Sequence, residues 1–308
     1  MPIVQAKCTN CGANLEVDNA KEAAVCQYCD SAFIVEKAIN NYTNYITNEY
    51  HAQVINVYGT DEAFETDGHK LIAYKGNSRD VYIPVHITEI GDDAFRGNIN
   101  IEHVFLHDGI RIIGNYAFGL CSNLKQVVLS KNLWLVGHHA FAGCTSLNAI
   151  ELPDSITTIK HFAFDSCESL EEIVLPQKLT VIQCRSFCNC KNLRKVTIPN
   201  SVTKIETEVF VHCDNLKELV IPASVTHLDG FVFMQCNLDR LVFEDADRVT
   251  HITSALFLLN NKVPEIVATN SFKARYGQYL ATQDAELSKT LNSLSGNTYG
   301  SASKERTD

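Results

Sequence analysis

The sequence predicts a mainly β fold with short helical turns, an α/β-type solenoid of about eight 23-residue coils, carried behind a small zinc ribbon. Three observations support this. Cysteine recurs at positions 121, 144, 167, 190, 213 and 236, each 23 residues after the last. Phenylalanine keeps the same period at 95, 118, 141, 164, 187, 210 and 233. Four more cysteines form two CxxC pairs near the N-terminus. A fixed period in the range of roughly 20–50 residues marks a solenoid, in which each unit buries its apolar residues only against its neighbours.

Composition narrows the function. The chain has 308 residues, 12 cysteines and a formal charge of −10, a balance that argues against holding nucleic acid by bulk phosphate attraction. No apolar run reaches the ~18 residues that a membrane span needs; the greasiest stretch is Ile252–Leu259. The opening MPIVQAKCTNCG has no charged segment followed by an apolar run, so a cytoplasmic location is expected.

Cys8, Cys11, Cys26 and Cys29 read CxxC, a 14-residue gap, then CxxC. That spacing suits a tetrahedral four-cysteine zinc site better than a redox motif or a disulfide pair. Gly12 follows the first knuckle, and Asn14–Asp18 and Ala32–Glu36 alternate as short strands. One structural Zn2+ is therefore expected in residues 1–37, closed by four thiolates with no position left for a catalytic water. So short a unit depends on its metal to fold. Its charge is −2, with only Tyr28 and Phe33 as aromatics. A nucleic-acid-associated regulator acting through the ribbon is thus a distant alternative.

One coil can be read physically from Leu170 to Cys190. Leu170, Ile173 and Leu175 point inward from a short strand, and Pro176 turns the corner and ends the pairing. Leu179 and Ile182 form a second inward pair, and Phe187 with Cys190 closes the coil. The corner repeats as Ile83-Pro84, Leu152-Pro153, Ile198-Pro199 and Ile221-Pro222. The end coils degrade: Asn98 and Asn260 stand where Cys is expected, and Cys236-Asn-Leu238 has lost one residue before Phe257 restores the phase. At ~4.8 Å per coil, eight coils make a rod about 40 Å long.

The pattern LxxIxLPxxVTxIxxxAFxxC resembles the BspA-like, or treponemal-type, leucine-rich repeats, over about 190 of the 308 residues. The resemblance implies a right-handed leucine-rich-repeat solenoid with a parallel sheet on its concave side. It also implies a binding or adhesion role, since many relatives are surface proteins that bind host or matrix proteins.

Around the repeats of residues 83–268, the sequence places an N-terminal cap at 53–82, with strand-like runs at Val54–Val57 and Leu71–Tyr74 and a turn at Asp67-Gly68. Residues 38–52 read as a linker. A C-terminal helical cap is expected over 269–294, starting with Asn270 as N-cap of a helix through Tyr279, and a disordered tail over 295–308. The cysteine column suits buried free thiols, because parallel Cβ vectors disfavour bridging. Cys184 and Cys188 lie off the column and are expected to be the accessible thiols.

On the concave strands, the residues beside the core positions form two stripes. One is polar and mixed in charge: His103, Gln126, Ala149, Glu172, Lys195, Glu218, Arg240 and Glu265. The other, Tyr82, Phe105, Val128, Glu151, Val174, Thr197, Val220 and Val242, continuing to Val267, is mostly apolar. An exposed apolar strip several coils long points to a protein partner, with Tyr82 and Phe105 as its aromatic end; plain strand propensity is the competing explanation. The column Asn115, His138, His161, Cys184 and Thr207 is a straight row, poor geometry for a tetrahedral metal. GxSxG, HExxH, GxGxxG and the GxxxxGK(S/T) phosphate loop are all missing from the sequence, and no catalytic residue or small-molecule substrate is expected. The reading is a non-enzymatic protein–protein interaction scaffold that binds a protein partner on its concave face, without nucleic acid or membrane. A surface adhesin of the BspA type is the first alternative.

Overall fold

The computed structural model describes residues 63–280 apart from 254 and 261, together with four short strands nearer the N-terminus. The chain divides into two compact units, Met1–Ala63 with Tyr82–His86, and Phe64–Val81 with Ile87–Asp308.

In the first unit, β1 (Ile3–Lys7) pairs antiparallel with β2 (Asn14–Asp18), and β3 (Ala23–Val25) with β4 (Ala32–Ile34). Cys8 and Cys11 fall between β1 and β2 in the chain, and Cys26 and Cys29 between β3 and β4. These four residues, the 38–52 linker, Val54–Val57 and the 295–308 tail lie outside the described residues.

The second unit is a β-solenoid with two parallel strand ladders. The first ladder runs through β7 (Asp80–Tyr82), β9 (His103–Phe105), β11 (Gln126–Val128), β14 (Glu172–Val174), β16 (Lys195–Thr197), β18 (Glu218–Ile221), β20 (Arg240–Phe243) and β22 (Glu265–Val267). The second runs through β6 (Lys70–Tyr74), β8 (Glu89–Ile90), β10 (Ile112–Ile113), β12 (Leu135–Val136), β13 (Thr158–Ile159), β15 (Val181–Ile182), β17 (Lys204–Ile205), β19 (His227–Leu228) and β21 (His251–Ile252). Pairing within both ladders follows the repeat, as in Ile113↔Val136 and Val127↔Val104. The second ladder has nine rungs, one more than the eight coils expected, because β6 pairs in parallel with β8 and places Leu71 opposite Ile90. β5 (Phe64–Asp67) folds back antiparallel on β6 through the Asp67–Gly68 turn and closes that edge, where unpaired strand groups would otherwise invite association.

A third side of each coil holds the core together. Here alternate residues donate their N–H groups to the next coil: Tyr116 to the His138 carbonyl at 2.8 Å, Phe118 to Ala140 at 2.8 Å and Leu120 to Ala142 at 2.7 Å. The corner achieves this by placing non-glycine residues in the left-handed region on both sides of the phenylalanine, such as Tyr116 at φ 53° and Leu120 at φ 62°. Each such residue costs about 1–2 kcal/mol, and the inter-coil bonds offset that cost. Between them the phenylalanines are fully buried and stack ring on ring, at centroid spacings from 4.9 Å for Phe95–Phe118 to 5.9 Å for Phe210–Phe233. Tyr74 of β6 covers the first ring, 5.1 Å from Phe95. The six column cysteines are buried beside this stack, and each thiol donates to the phenylalanine carbonyl of the preceding coil, as Cys167 does to Phe141 at 3.2 Å and Cys190 to Phe164 at 3.2 Å.

The C-terminal helix α1 (Asn270–Leu280) docks through the buried Phe272, which packs 4.8 Å from Phe243. Its cap is Thr269 and not Asn270: the Phe272 N–H donates to Thr269 Oγ1 at 3.2 Å. Thr269 and Ser271 also donate to Asp247.

Replacing Phe164 with Ala removes a ring that is stacked on both sides. It should lower unfolding free energy by about 3–5 kcal/mol in a urea titration; a loss under about 1 kcal/mol would contradict this account of the core.

Candidate functional site

The outward face of the first ladder carries the apolar strip. Its inward neighbours, including Val104, Val127, Ile173, Leu219 and Leu241, are buried, so the pleat turns the strip residues away from the core. Register brings Phe105 beside Val128, Val174 beside Thr197, and Val242 between Val220 and Val267. Val128, Val174 and Val220 expose 40%, 58% and 40% of their surface, whereas Phe105, Val242 and Val267 are half-buried. Thr197 and Glu151 are exposed polar members.

Two features depart from the strip drawn from sequence. Tyr82 is exposed but belongs to the first unit, so the strip of the solenoid begins at Phe105. In the coil of Ala149–Glu151 no strand forms, and the strip divides there into a Phe105–Val128 stretch and a Val174–Val267 stretch.

The polar stripe beside it neutralises itself along the coils. His103 Nδ1 lies 2.7 Å from Asp80, Arg194 3.1 Å from Glu172, and Arg240 3.3 Å from Glu218 and 3.5 Å from Glu265. Further out, Lys125 sits 2.7 Å from Glu102 and, with Arg79, holds that carboxyl below its ordinary range. Exposed pairs of this kind add little stability, about 0–1 kcal/mol each. Their consequence is to leave this face without a large field of one sign, so the exposed valines are its distinguishing chemistry.

The histidine column behaves as a stack. The His138 and His161 rings lie 5.2 Å apart at 19°, and burial together with the neighbouring His161 and Lys160 lowers the His138 pKa. Cys184 donates its backbone N–H to Glu206 at 3.0 Å, and His161 Nδ1 lies 3.5 Å from the same carboxylate. Among the described residues, no three His, Cys, Asp or Glu side chains converge as a metal site would require. His107 accepts from the Gly109 N–H, away from the His103–Asp80 pair.

The eight cysteines from Cys121 onward are free thiols. Burial pushes the Cys121 thiol up to about 12 and also raises the fully buried Cys144, Cys167 and Cys190 well above the ordinary thiol value. Cys184 is half-buried, but Cys188 is not accessible: it is 3% exposed, beside Asp165 and Asn189, and burial raises its pKa as well. Two residues after Cys188 the column cysteine closes the coil, so the Cys188 side chain is carried into the packed corner.

Sequence reasoning missed Trp134. The one tryptophan of the chain is 43% exposed beside β12, on the second ladder. Its signal is a break in the repeat, since the same position holds Thr in the coils at 157, 180, 203 and 226.

A family model described as the BspA type leucine rich repeat region, in six copies, matches residues 70–156, 134–264 and 180–292. The chain belongs to the BspA-type leucine-rich-repeat family. Among solved structures, this BspA-type chain is similar to the T. pallidum leucine-rich repeat protein, with 25% identity over 73% of this chain and 99% of that one and a TM-score of 0.51. It is also similar to a leucine-rich repeat protein from Bacteroides ovatus, with 22% identity over 69% of this chain and 65% of that one and a TM-score of 0.50. A third, from Eubacterium ventriosum, is 21% identical over 55% of this chain and 46% of that one, with a TM-score of 0.52. No curated protein matches the chain. Among the described residues no helix is long and apolar enough to cross a membrane.

Thiol burial gives a direct prediction. In the native protein, Cys184 should be alkylated by iodoacetamide faster than the six column cysteines or Cys188, because it alone of these is half-exposed, although burial and the nearby Glu208 raise its pKa as well. Peptide mapping after brief labelling reads the result, and equal labelling of Cys188 and Cys184 would contradict the buried placement.

Proposed function

We propose that this BspA-type protein is a non-enzymatic, cytoplasmic protein-interaction scaffold, and that its partner binds the outward face of the first ladder through Phe105, Val128, Glu151, Val174, Thr197, Val220 and Val242. The observation that carries this reading is the row of exposed valines beside a stripe whose charges pair among themselves. A partner gains by covering that apolar surface, at roughly 25 cal/mol per Å² before association costs. Nothing in the reading requires nucleic acid, a membrane or a small-molecule substrate.

The N-terminal unit is proposed to hold one structural Zn2+ on Cys8, Cys11, Cys26 and Cys29. Two antiparallel hairpin strand pairs, each with a CxxC between its strands, fit a ribbon whose thiolates meet on one ion. When bound, the metal would supply folding energy to a unit too small to build its own core.

Two experiments test these readings. Val128→Glu with Val174→Glu, at exposed positions, should change stability by no more than about 0.5 kcal/mol each and abolish retention of the proteins that copurify with the wild type; unchanged retention would reject the strip. Elemental analysis of the purified chain should give one zinc per molecule, lost in the Cys8→Ser/Cys11→Ser variant, with the repeat transition preserved. A metal-free protein with a folded N-terminal unit would reject the ribbon.

A further inference from the structure

The second ladder has an outward face of its own, and it differs from the first. Most described Lys and Arg side chains pair with a carboxylate, as Lys70 does with Glu89 and Lys204 with Asp229 at 2.9 Å. Around Trp134 they do not. Arg111 stands at the position equivalent to Trp134 one coil earlier, joined to it by the Trp134 N–H to Arg111 carbonyl bond of 3.0 Å. Lys131 lies three residues before it and Lys160 in the following coil. None of the three forms an ion pair among the described residues, and the nearby Asp108 carboxylate is engaged by the Lys131 backbone N–H at 3.1 Å. Asp108 and Asp154 occupy the position of Lys131 in the coils before and after it and accept backbone N–H bonds, so the cations of this face without a carboxylate in their own column in the adjoining coils are Arg111 and Lys160.

The ground between these cations is apolar and shallow. Ile112 and Leu135 are register partners beside the tryptophan, half-buried and facing outward. On the same face, two residues beyond each, Gly114 and Gly137 provide no side chain, and a Cβ at Gly137 would stand 2.5 Å from the Gly114 carbonyl carbon. At the next coil that glycine position becomes Lys160. The coil on the far side of Trp134 carries the small Thr157, whose hydroxyl turns back to the Trp134 carbonyl at 3.4 Å. Trp134 is therefore exposed on this face, with Arg111 at its position one coil earlier and Thr157 one coil later.

We propose that this face is a second docking site, and that it takes an acidic peptide segment bearing apolar or aromatic residues. The peptide's side chains would cover Trp134, Leu135 and Ile112, and its carboxylates would meet Arg111, Lys131 and Lys160. Exposed tryptophan with arginine beside it is the residue chemistry of interface hot spots. The local charge selects acidic partners and repels basic ones.

The sole tryptophan reports on the site directly. Full-length protein is titrated with a tryptophan-free decapeptide of Asp and Glu carrying one Phe and two Leu, and with its Lys/Arg counterpart. The acidic probe should shift the tryptophan emission to the blue, and the basic probe should not. With fluorescein-labelled acidic probe followed by anisotropy, Arg111→Glu with Lys160→Glu should weaken binding by about tenfold or more, as should Trp134→Ala. Lys217→Glu with Lys273→Glu, the same double reversal made away from this face, should leave it unchanged, with circular dichroism confirming that each variant is folded. The proposal is overturned by no emission shift with the acidic probe, or by an equal shift with the basic probe. It is equally overturned if a single-stranded oligonucleotide or self-association seen by light scattering proves to be what shifts the emission.

Discussion

The fold depends on how each coil uses its buried phenylalanine. The ring stacks on the coils before and after it, and the N–H donates to the following coil, as from Phe118 to Ala140. The carbonyl accepts twice, from the cysteine N–H three residues on and from the thiol of the next coil's cysteine, as Phe118 does from Cys144 at 3.1 Å. Cysteine suits this position because it is small and apolar enough for the interior, yet brings a weak donor to a carbonyl with a lone pair to spare. A longer side chain would not fit between coils this closely stacked. The same contacts recur at every level, and where the count departs from 23 after Cys236 it is made up elsewhere in the coil, so that Phe257 still stacks 5.5 Å from Phe233.

With the inward positions committed to this interlock, the outward ones are free to differ from coil to coil. The two faces proposed for recognition are drawn from those departures. On the first ladder they are valines among self-paired charges; on the second, a tryptophan among threonines beside cations that form no ion pair among the described residues. The left-handed corner residues have a structural use that concerns neither face: they aim three N–H groups per coil at the next coil and so let a third, non-strand side close the solenoid.

The parts of the fold legible in the sequence are those that repeat. The Phe and Cys columns, the inward Leu and Ile positions and the Pro corners all follow from a 23-residue spacing, and the buried residues fall on them. The thiol-to-carbonyl bond was not legible, because it spans 26 residues and exists only once the left-handed corner has formed. Cys188 looked accessible because it lies off the column, but the tight corner beside Cys190 carries it inside. Ala149–Glu151 alternates like its neighbours, yet Glu151, a poor strand former, stands where other coils have Val, Thr or Phe, and no strand forms there. Thr269 displaced Asn270 as the helix cap by a single residue, within the ordinary uncertainty of helix ends. Trp134 interrupts a column that holds Thr at 157, 180, 203 and 226, so it carries no periodic signal.

Deletion of one whole period tests the interlock most directly. Removing residues 167–189 joins Ser166 to Cys190 and restores every column in register, whereas removing residues 167–178 shifts the later Phe and Cys positions onto the wrong sides of the coil. If the 23-residue interlock governs folding, the first deletion yields a protein with one cooperative urea transition and wild-type strand content per residue, and the second does not fold. Equal behaviour of the two deletions, whether both folded or both unfolded, would contradict the account.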